Sequence, residues 1–453
     1  MTGTRFKPYP ETKDSGIEWL GQIPTHWEAR RLKLLATIND EALGEETDPE
    51  HEIAYVDIGN VDATRGILEK ESYSFVDAPS RARRIVRDGD VIVSTVRTYL
   101  RAIAPITDPE PNLVVSTGFA VIRPRSGLGT GYASYVLRAP YFVDRVVAES
   151  VGVSYPAINA WQLGTFEVAV PDVDEQQTIA DFLDRETAKI DALVEKKERL
   201  IELLQEKRTA LITHAVTKGL DPDVPMRDSG IEWLGQIPAH WEHTAIRYAC
   251  SLVRDGTHQP PSRVVEGYRL LSVRNIIDGA FAFRDDDSRI SEEDFQALQR
   301  SFAVHQRDVL LAIVGATLGK TAIVGALPEP FAIQRSLAVL RTRDQILCVS
   351  YLRYVVASSR FQQLLWANAG YSAQPGLYLN TLGAFRVPLP ETEEQQVIVG
   401  FLDRETAKID ALIAKVREAI ERLKEYRTAL ISAAVTGKID VREEMEIQAS
   451  QEV

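Results

Sequence analysis

The chain has 453 residues, of which 45% are hydrophobic and 26% charged, a composition typical of a globular protein with roughly two to four domains. A formal net charge of −13 argues against a uniformly basic nucleic-acid binder, and no stretch approaches the roughly 18 consecutive apolar residues of a membrane span. Because Cys250 and Cys348 are too few for a disulfide framework and the first residues lack the apolar core of a signal peptide, we expect a cytoplasmic protein.

The first predicted segment, residues 1–28, is a packed lead-in without a helix, because proline and glycine residues interrupt it repeatedly. Residues 29–171 alternate short β-rich runs with turns and are predicted to form a mixed α/β globular domain. The predicted strands are 54–59, 90–96 and 114–122. Apolar residues with helical spacing follow at 132–148, where Pro140 should kink or split the helix.

Residues 172–220 are predicted to form one long helix, since no proline or glycine occurs between Pro171 and Gly219. Apolar residues recur at the a and d positions of a heptad, with Lys197 as a polar a position. At 1.5 Å per residue, roughly 40 residues make a helix about 60 Å long, which needs a partner along its length. The predicted coiled-coil residues are Leu183, Ile190, Leu193, Leu200, Leu204 and Leu211.

The second half of the chain repeats the first. Residues 401–412 are identical to residues 182–193, and residues 228–242 differ from residues 14–28 only at Ala239 against Thr25. The repeat defines a linker and second lead-in at 221–242, a second globular domain at 243–390, a second helix at 391–440 and a tail at 441–453 that we expect to be frayed. The second helix has apolar heptad positions at Leu402, Ile409, Leu412, Val416, Leu423, Tyr426 and Leu430.

The two globular domains share apolar and turn positions but differ in their polar residues. Asp90 aligns with Asp308, and Tyr135 aligns with Tyr354. This pattern suggests one fold with two different surfaces. We predict an α+β (mixed α/β) fold with an internal two-fold repeat, in which two globular heads are separated by two long antiparallel coiled-coil helices. The alternative is that each long helix is the core helix of one globular domain.

Arginine is concentrated in both heads. Residues 79–145 contain ten Arg and no Lys against five acidic residues, although residues 29–171 as a whole are acidic. Residues 243–389 contain fifteen Arg and a single Lys against twelve acidic residues. The planar guanidinium fork suits phosphate groups and guanine edges, so these windows favour DNA binding. The alternative is a solvated surface on which the arginines cluster by chance.

Two apparent catalytic motifs are set aside. Residues 315–321 resemble a phosphate-binding loop but have three residues between the glycines where four are needed. Pro171-Asp172 with Glu195 and Lys197 resembles a nuclease set, but the second repeat lacks both later residues. The sequence also lacks the Asn/Asp-Pro-Pro-Tyr/Phe motif of adenine methylation, and its seven histidines show no metal-ligand spacing. We therefore expect a non-catalytic protein without a metal site.

The order of the motifs resembles the specificity (S) subunit of type I restriction–modification enzymes. The matching segments are the two lead-ins, which read GIEWLGQIPxHWE, and residues 171–183 and 390–402, and the resemblance covers residues 11–440. It implies that residues 29–171 and 243–390 are target recognition domains, each reading one half of a bipartite DNA sequence. It also implies that the repeated helices separate these domains and dock two methyltransferase (M) subunits.

The resemblance further implies that this chain binds no cofactor. The M subunits of such enzymes use S-adenosylmethionine to methylate adenine, and restriction (R) subunits add ATP- and Mg-dependent cleavage of unmethylated DNA. In that arrangement, heads about 60 Å apart at most would span one to two turns of duplex at roughly 34–36 Å per turn.

The candidate DNA-binding residues lie in polar loops of the arginine-rich windows, and an ordinary surface or ion-paired role is the alternative for each. Phosphate contacts should outnumber base contacts. The loop at 150–159 and its counterpart at 368–378 are further candidates. The individual candidates are Arg81, Arg83, Arg84, Arg97, Tyr99 and Arg101 in the first head, and Arg254, His258, Gln259, Arg274, Asn275, Lys320, Gln334 and Arg335 in the second.

Two other functions remain open from the residues alone. A coiled-coil scaffold that binds only protein would explain the repeats and the acidic helices, but not the arginine-rich windows. A self-contained nuclease would have to cleave DNA alone with a divalent metal, and we expect no such activity.

Overall fold

The computed structural model describes residues 6–259, 261–277, 279–326, 329–370 and 374–442. The chain divides into two compact units, one formed by Met1–Lys197 with Glu418–Val453 and the other by Glu198–Arg417. Each unit thus combines one head with part of both long helices, whereas the predicted boundaries assigned each helix whole to its own segment. Among the residues described, no helix is both long and apolar enough to cross a membrane.

The first unit contains two four-stranded sheets, in the orders β11-β10-β13-β4 and β8-β5-β12-β9, and the two-stranded pairs β1-β2, β3-β14 and β6-β7. Its strands are β1 (Thr12–Asp14), β2 (Gln22–Pro24), β3 (Glu28–Arg31), β4 (Ala36–Ile38), β5 (Glu52–Val56), β6 (Val61–Asp62), β7 (Gly66–Ile67), β8 (Glu71–Ser74), β9 (Ala82–Ile85), β10 (Val91–Ser94), β11 (Ile103–Pro105), β12 (Leu113–Ser116), β13 (Phe119–Pro124) and β14 (Glu167–Val170). Its complete helices are α1 (Thr130–Val136), α2 (Pro140–Ala148) and α3 (Ala160–Leu163).

Two sequence predictions are tested directly here. Pro140 does split the predicted helix, because it occupies the first position of α2 after α1 has ended. The single strand predicted at 114–122 is wrong, since β12 and β13 belong to different sheets. The break falls at Gly118, where an added Cβ atom would lie 2.7 Å from the Cδ1 of Ile58 and would require that side chain to shift.

The sheet that contains β10 is buried on both faces. Val91 and Val93 belong to the main core of the unit, which also contains Trp27 and Phe182. Ile92, between them, points to the second core between the two sheets. Side chains alternate across a strand, so one short apolar run serves both cores.

The second unit repeats this plan with a six-stranded sheet, β18-β26-β23-β24-β21-β20, a three-stranded sheet, β22-β19-β25, and the pairs β15-β16 and β17-β27. The strands are β15 (Met226–Asp228), β16 (Gln236–Pro238), β17 (Glu242–Ala245), β18 (Cys250–Asp255), β19 (Tyr268–Leu271), β20 (Ile276–Ile277), β21 (Ala280–Phe281), β22 (Arg289–Ile290), β23 (Val309–Ala312), β24 (Thr321–Ile323), β25 (Phe331–Ile333), β26 (Leu337–Thr342) and β27 (Arg386–Leu389). Its complete helices are α5 (Ile246–Ala249), α6 (Glu292–Ser301), α7 (Val349–Ala357), α8 (Ser359–Ala367) and α9 (Leu379–Ala384). The two long helices, each divided between the units, are α4 (Val173–Lys218) and α10 (Thr392–Val435).

The long helices α4 and α10 pair through reciprocal ion pairs. In the first unit Arg427 donates to Asp191 over 3.0 and 3.3 Å. In the second unit Arg208 donates to Asp410 over 2.9 and 3.3 Å. Residue numbers rise along one helix as they fall along the other, so the helices are antiparallel. The two pairs are formed by equivalent residues of the two repeats.

The predicted a positions lie on the paired face of each helix. Leu183, Ile190, Leu402, Ile409, Val416 and Leu430 are buried, and Lys197, Leu204, Leu211 and Leu423 are half-buried.

The predicted d positions are wrong by one residue. Leu193, Leu200 and Leu412 are 47%, 40% and 45% exposed, and Tyr426 is 43% exposed. The residues that follow them face inward instead: Val194, Ile201 and Arg427 are half-buried and Ile413 is buried. The inward-facing residues one position later include threonine and arginine, which a search for leucine spacing does not recognise.

The tail predicted to be frayed from residue 441 is ordered at its start. Val441 is buried, the Arg442 guanidinium pairs with Asp440, and the Asp440 amide donates to the Lys7 carbonyl over 2.8 Å. From residue 443 onward the tail lies outside the described residues. Residues 440–442 therefore pack against the beginning of the lead-in, which itself contains the β1-β2 pair instead of purely irregular structure.

Candidate DNA interface

A tight turn follows the central strand of each head. In the first head a 3₁₀ turn, Thr98–Leu100, follows β10, and the residues on either side, Arg97 and Arg101, have φ of 52° and 53°. The equivalent positions of the second head are Gly315 and Gly319, with φ of 85° and 91°. The left-handed region costs a residue with a Cβ roughly 1–2 kcal/mol. The first head therefore carries arginine where the backbone favours glycine, and such strain is typical of functional sites.

A short hairpin packs against this turn in the first head, and the described ends of the equivalent loop do so in the second. In the first head Val151 and Ala157 exchange backbone hydrogen bonds of 2.9 and 3.0 Å, and the Ile158 amide donates to the Thr95 carbonyl. In the second head Gly370 donates to Gly376 over 2.9 Å, and residues 371–373 lie outside the described part. The candidate loop 150–159 and the described residues of the loop 368–378 thus lie beside the turns at 97–101 and 315–319.

The surface formed by the turn and hairpin of the first head is apolar, aromatic and cationic. The Arg97 guanidinium lies 5.1 Å from the centre of the Tyr155 ring. Tyr99 is 52% exposed, Tyr155 is 66% exposed, and Val153 at the hairpin tip is fully exposed. Exposed aromatic rings and arginine side chains suit stacking on bases and contact with phosphates. Tyr155 lies in the loop selected from the sequence, but its pairing with Arg97 was not predicted.

The second head has a groove of about 700 Å³ at the same place, lined by His258, Arg335, Tyr378 and Asn380. His258 Nε2 and the Asp255 carboxylate are 2.7 Å apart, and the Arg335 amide donates to the Thr257 carbonyl over 3.1 Å. These side chains combine an arginine fork, an amide and an imidazole, which are groups that read base edges. Tyr378 is the last residue of the candidate loop 368–378. Asn380 was not among the predicted DNA-binding residues because it lies beyond that loop, in helix α9.

The other candidates of the first head are engaged within the protein. Arg81 pairs with Asp57 at 3.1 Å and remains exposed, and Arg101 pairs with Asp144 at 2.8 Å. Arg83 lies 4.4 Å over the Phe75 ring and donates to a backbone carbonyl. Arg84 is half-buried, its Nε has no hydrogen-bond partner, and burial lowers the pKa of its guanidinium.

Asn275 is the clearest error among the candidates. Its side chain is fully buried, accepts from the Ser272 amide over 3.0 Å, and donates to the Ala282 carbonyl and to Asp287. It caps a 3₁₀ turn and has no surface with which to contact DNA. Arg274 beside it pairs with the acidic loop through Asp286 at 3.1 Å.

The remaining candidates of the second head are placed at the surface. Arg254, Gln259 and Lys320 are exposed. Gln334 is half-buried, and its backbone amide donates to the Leu271 carbonyl. Lys320 follows the tight turn at 315–319, and Arg254 lies at the end of β18 near His258.

Several arginines of the two windows serve the fold. Arg123 donates from Nε and Nη2 to the buried Asp90 over 2.9 and 2.8 Å, and these hydrogen bonds raise the pKa of Arg123. Arg341 makes the equivalent pair with Asp308 over 2.8 Å. Arginine content alone therefore overstated the surface that is available for DNA.

The glycine-rich motif at 315–321 and two equivalent histidines have structural roles. The glycines of residues 315–321 provide the left-handed turn already described. His26 and His240 approach Glu175 and Glu394 through Nε2 at 2.9 Å, in equivalent positions of the two repeats. Within the described residues, no group of three or more His, Cys, Asp or Glu side chains is arranged to hold a metal ion.

Comparison with known proteins assigns the family. The model of the type I restriction modification DNA specificity domain matches residues 24–203 and 274–422, which is more than half of the chain. The chain belongs to this family. The predicted family and the predicted mixed α/β fold with two long helices and an internal repeat are confirmed, and the family favours DNA specificity over an assembly-only scaffold.

Similar members come from bacteria and archaea. The EcoBI specificity subunit of Escherichia coli is 26% identical over 66% of this chain, and the match spans 64% of that relative's length. A putative MjaX specificity subunit of Methanocaldococcus jannaschii is 23% identical over 93% of this chain and 96% of its own.

Two solved structures share the fold of this family member. A chain from work on complex assembly and conformational transition of the type I R-M system has a TM-score of 0.71 and 22% identity, covering 92% of this chain and 99% of its own. The HsdS subunit from Thermoanaerobacter tengcongensis has a TM-score of 0.50 and 22% identity, covering 92% of this chain and 98% of its own.

Proposed function

We propose that this chain is the sequence-reading subunit of a type I restriction–modification complex, in which each head reads one half of a bipartite DNA target. One observation carries the proposal: the same turn, with an equivalent loop anchored beside it, is built in both heads, but with different polar side chains. Arg97 and Tyr155 define the surface of the first head, and His258, Arg335 and Tyr378 define that of the second. Duplicated architecture with unlike recognition groups suits two different half-sites.

The chemistry of these surfaces supports readout combined with phosphate binding. Arginine can bond the O6 and N7 of guanine through two donors, and asparagine can do the same with adenine, each pair discriminating by about 1–3 kcal/mol. Exposed guanidinium groups also neutralise phosphates and release counterions, so affinity should fall steeply with salt. The chain contributes recognition and assembly, while S-adenosylmethionine, ATP and Mg act in partner subunits in the cytoplasm.

The long helices are the proposed docking surface for two M subunits, with R subunits joining the complex. Leu193 and Leu412 are equivalent in the two repeats, and both are about half exposed on the outside of the helix pair. Burying the exposed half of each side chain against a partner contributes roughly 0.7–1.5 kcal/mol. The double variant L193Q/L412Q should keep the fold and weaken M-subunit association by at least tenfold in analytical ultracentrifugation. Substitution of an inward-facing residue, V194D, should instead lower the free energy of unfolding.

Methylome sequencing tests DNA readout in cells that carry the M subunit with and without this chain. We expect a bipartite methylated adenine motif that depends on the chain. The variant R97A should relax or abolish one half of the motif, and R335A the other half. Arg307 is an exposed arginine at the opposite end of β23, paired with Asp344 at 3.2 Å, so R307A is the matched control and should leave the motif unchanged. A motif that is unaffected by both R97A and R335A, or no dependence on the chain, would refute the proposal.

A further inference from the structure

A small cavity in the first unit lies between the head and helix α10, away from the hairpin surface. Its volume is about 140 Å³, and its polar lining is formed by Thr64, Arg101, Arg138 and Arg427. The other lining residues are apolar or threonine, and no carboxylate lines the cavity within the described part of the chain. Three guanidinium groups thus meet around one small space.

The charges of these arginines are not fully balanced by the protein. Arg101 pairs with Asp144 at 2.8 Å and Arg427 pairs with Asp191 at 3.0 Å. Arg138 donates from Nε to the Ser134 carbonyl over 2.6 Å and lies 5.1 Å from the Tyr135 ring centre. Among the residues that the structure describes, Arg138 has no carboxylate within ion-pair distance, so one cation of the three is unmatched.

Burial sharpens this imbalance. Desolvation lowers the pKa of Arg138, and repulsion from Arg427 acts in the same direction, while Tyr135, Asp184 and Asp191 oppose it. A guanidinium nevertheless stays protonated in proteins. A half-buried cation without a partner is destabilising, and an anion in the cavity would relieve that penalty.

We propose that this cavity binds a phosphate-class oxyanion between Arg101, Arg138 and Arg427. A water molecule occupies about 30 Å³ of liquid, so the cavity has room for one tetrahedral oxyanion but not for a nucleoside. Guanidinium groups bind such oxygens with two parallel hydrogen bonds each, which favours phosphate over chloride. The phosphate would come either from the backbone of bound DNA or from a free phosphate ion, and the chemistry of the site is the same for both.

The second unit is a natural comparison. There the position of Arg101 is Gly319, and the position of Arg138 is Ala357. The Gln362 side chain fills the space by donating to the Gly319 carbonyl over 3.0 Å and to the Val356 carbonyl over 2.7 Å.

Arg427 is retained in the second unit as Arg208, which pairs with Asp410, so this position serves the helix pair in both repeats. The two arginines that are specific to the first unit are those that make the cavity cationic. Arg101 holds its side chain there despite a left-handed φ of 53°, at a position where the second unit has glycine. This asymmetry is expected of a site that only the first unit uses.

Thermal unfolding of the full chain in phosphate and in chloride of equal ionic strength tests the site. Phosphate should raise the Tm of the wild-type protein more than that of R138M, and the apparent phosphate affinity of R138M should be at least tenfold weaker. In chloride, R138M should be as stable as wild type or more so, because it removes an unmatched cation. The variant R307M controls for the general stabilising effect of phosphate on proteins and should respond like wild type. Equal responses of R138M and wild type would overturn the proposal.

A second measurement identifies the source of the phosphate. If DNA supplies it, R138M should lower the slope of log affinity against log salt by about 0.9 in the complex with the M subunit. An unchanged slope together with the phosphate-specific Tm shift assigns the site to a free ion. R101M repeats both tests at an exposed position, in case R138M does not fold. The thermal test requires no DNA, so a failure of sequence-specific binding would refute the proposed function without refuting this site.

Discussion

Two substitutions of Arg97, the left-handed residue beside the hairpin of the first head, should separate an effect on DNA affinity from an effect on stability. R97A removes the side chain but keeps a Cβ at a φ of 52°, whereas R97G removes both the side chain and the strain. The left-handed region costs a Cβ-bearing residue about 1–2 kcal/mol, and the added flexibility of glycine in the unfolded chain returns about 0.5–1 kcal/mol of that. R97G should therefore be more stable than R97A by roughly 0.5–1 kcal/mol.

Both variants should lose the same DNA affinity, because both lack the guanidinium. One lost contact of about 1–3 kcal/mol corresponds to a roughly 5- to 150-fold weaker complex. Urea unfolding gives the stability difference, and fluorescence anisotropy at two salt concentrations gives the affinity. The reciprocal variant G315A should cost about 1 kcal/mol through strain alone, since no atom lies within 4 Å of its added Cβ. Equal stability of R97A and R97G would refute the strain, and wild-type DNA affinity of both would refute the contact.

Three further predictions concern the fold. D90A should lower the free energy of unfolding by roughly 1.5–3 kcal/mol, since it removes the buried partner of Arg123 Nε and Nη2 while Asp40 and Glu41 still pair with Nη1; a loss below about 0.5 kcal/mol in urea titration would contradict this. W27F should lower the free energy of unfolding by about 1–3 kcal/mol more than W241F does, because Trp27 Nε1 donates to a buried glutamate over 3.1 Å whereas Trp241 Nε1 has no hydrogen-bond partner. Equal losses in the two variants would contradict this prediction. Burial raises the pKa of Cys250 from 9.0 to about 12, so the thiol of the unfolded chain loses its proton at a lower pH than that of the folded chain. The free energy of unfolding should therefore fall as the pH rises from about 9 to 12. Denaturation measured across that range should show no such thiol-dependent fall in the C250A variant.

The sequence predicted the structure best where the spacing of apolar residues, proline or repeated segments marks an element. The duplication, the long helices, the split at Pro140 and the a positions of the heptad followed from spacing alone. The d positions did not, because Leu193 and Leu200 offered a better leucine spacing than the true inward residues. When polar residues occupy half of a seam, burial is decided by the partner helix, which the local sequence does not describe.

The candidate site was predictable in location but not in composition. Loops 150–159 and 368–378 were selected for their polar and aromatic residues, and the structure places them against the turns at 97–101 and 315–319. Arginine-rich composition could not separate a surface guanidinium from one paired with a buried carboxylate, as at Arg123. Nor could it show that Asn275 is buried as a cap, because a polar residue in a loop is equally suited to solvent and to backbone hydrogen bonds.

The internal duplication shows which differences between the heads reflect function. Positions that hold the fold are the same in both: the pair of Asp90 with Arg123 recurs at 308 and 341, and the Tyr135 hydroxyl donates to Asp184 over 2.5 Å as its equivalent at 354 does to 403. The turn positions differ between the heads although the backbone conformation there favours glycine, because the first head has arginine at 97 and 101. A left-handed arginine also occurs at 307, where the first head has Gly89, so strain alone does not mark a side chain that is used. Arg97 and Arg101 are distinguished by their surroundings, which are the exposed Tyr155 ring at the proposed DNA surface and the cationic cavity at the proposed oxyanion site.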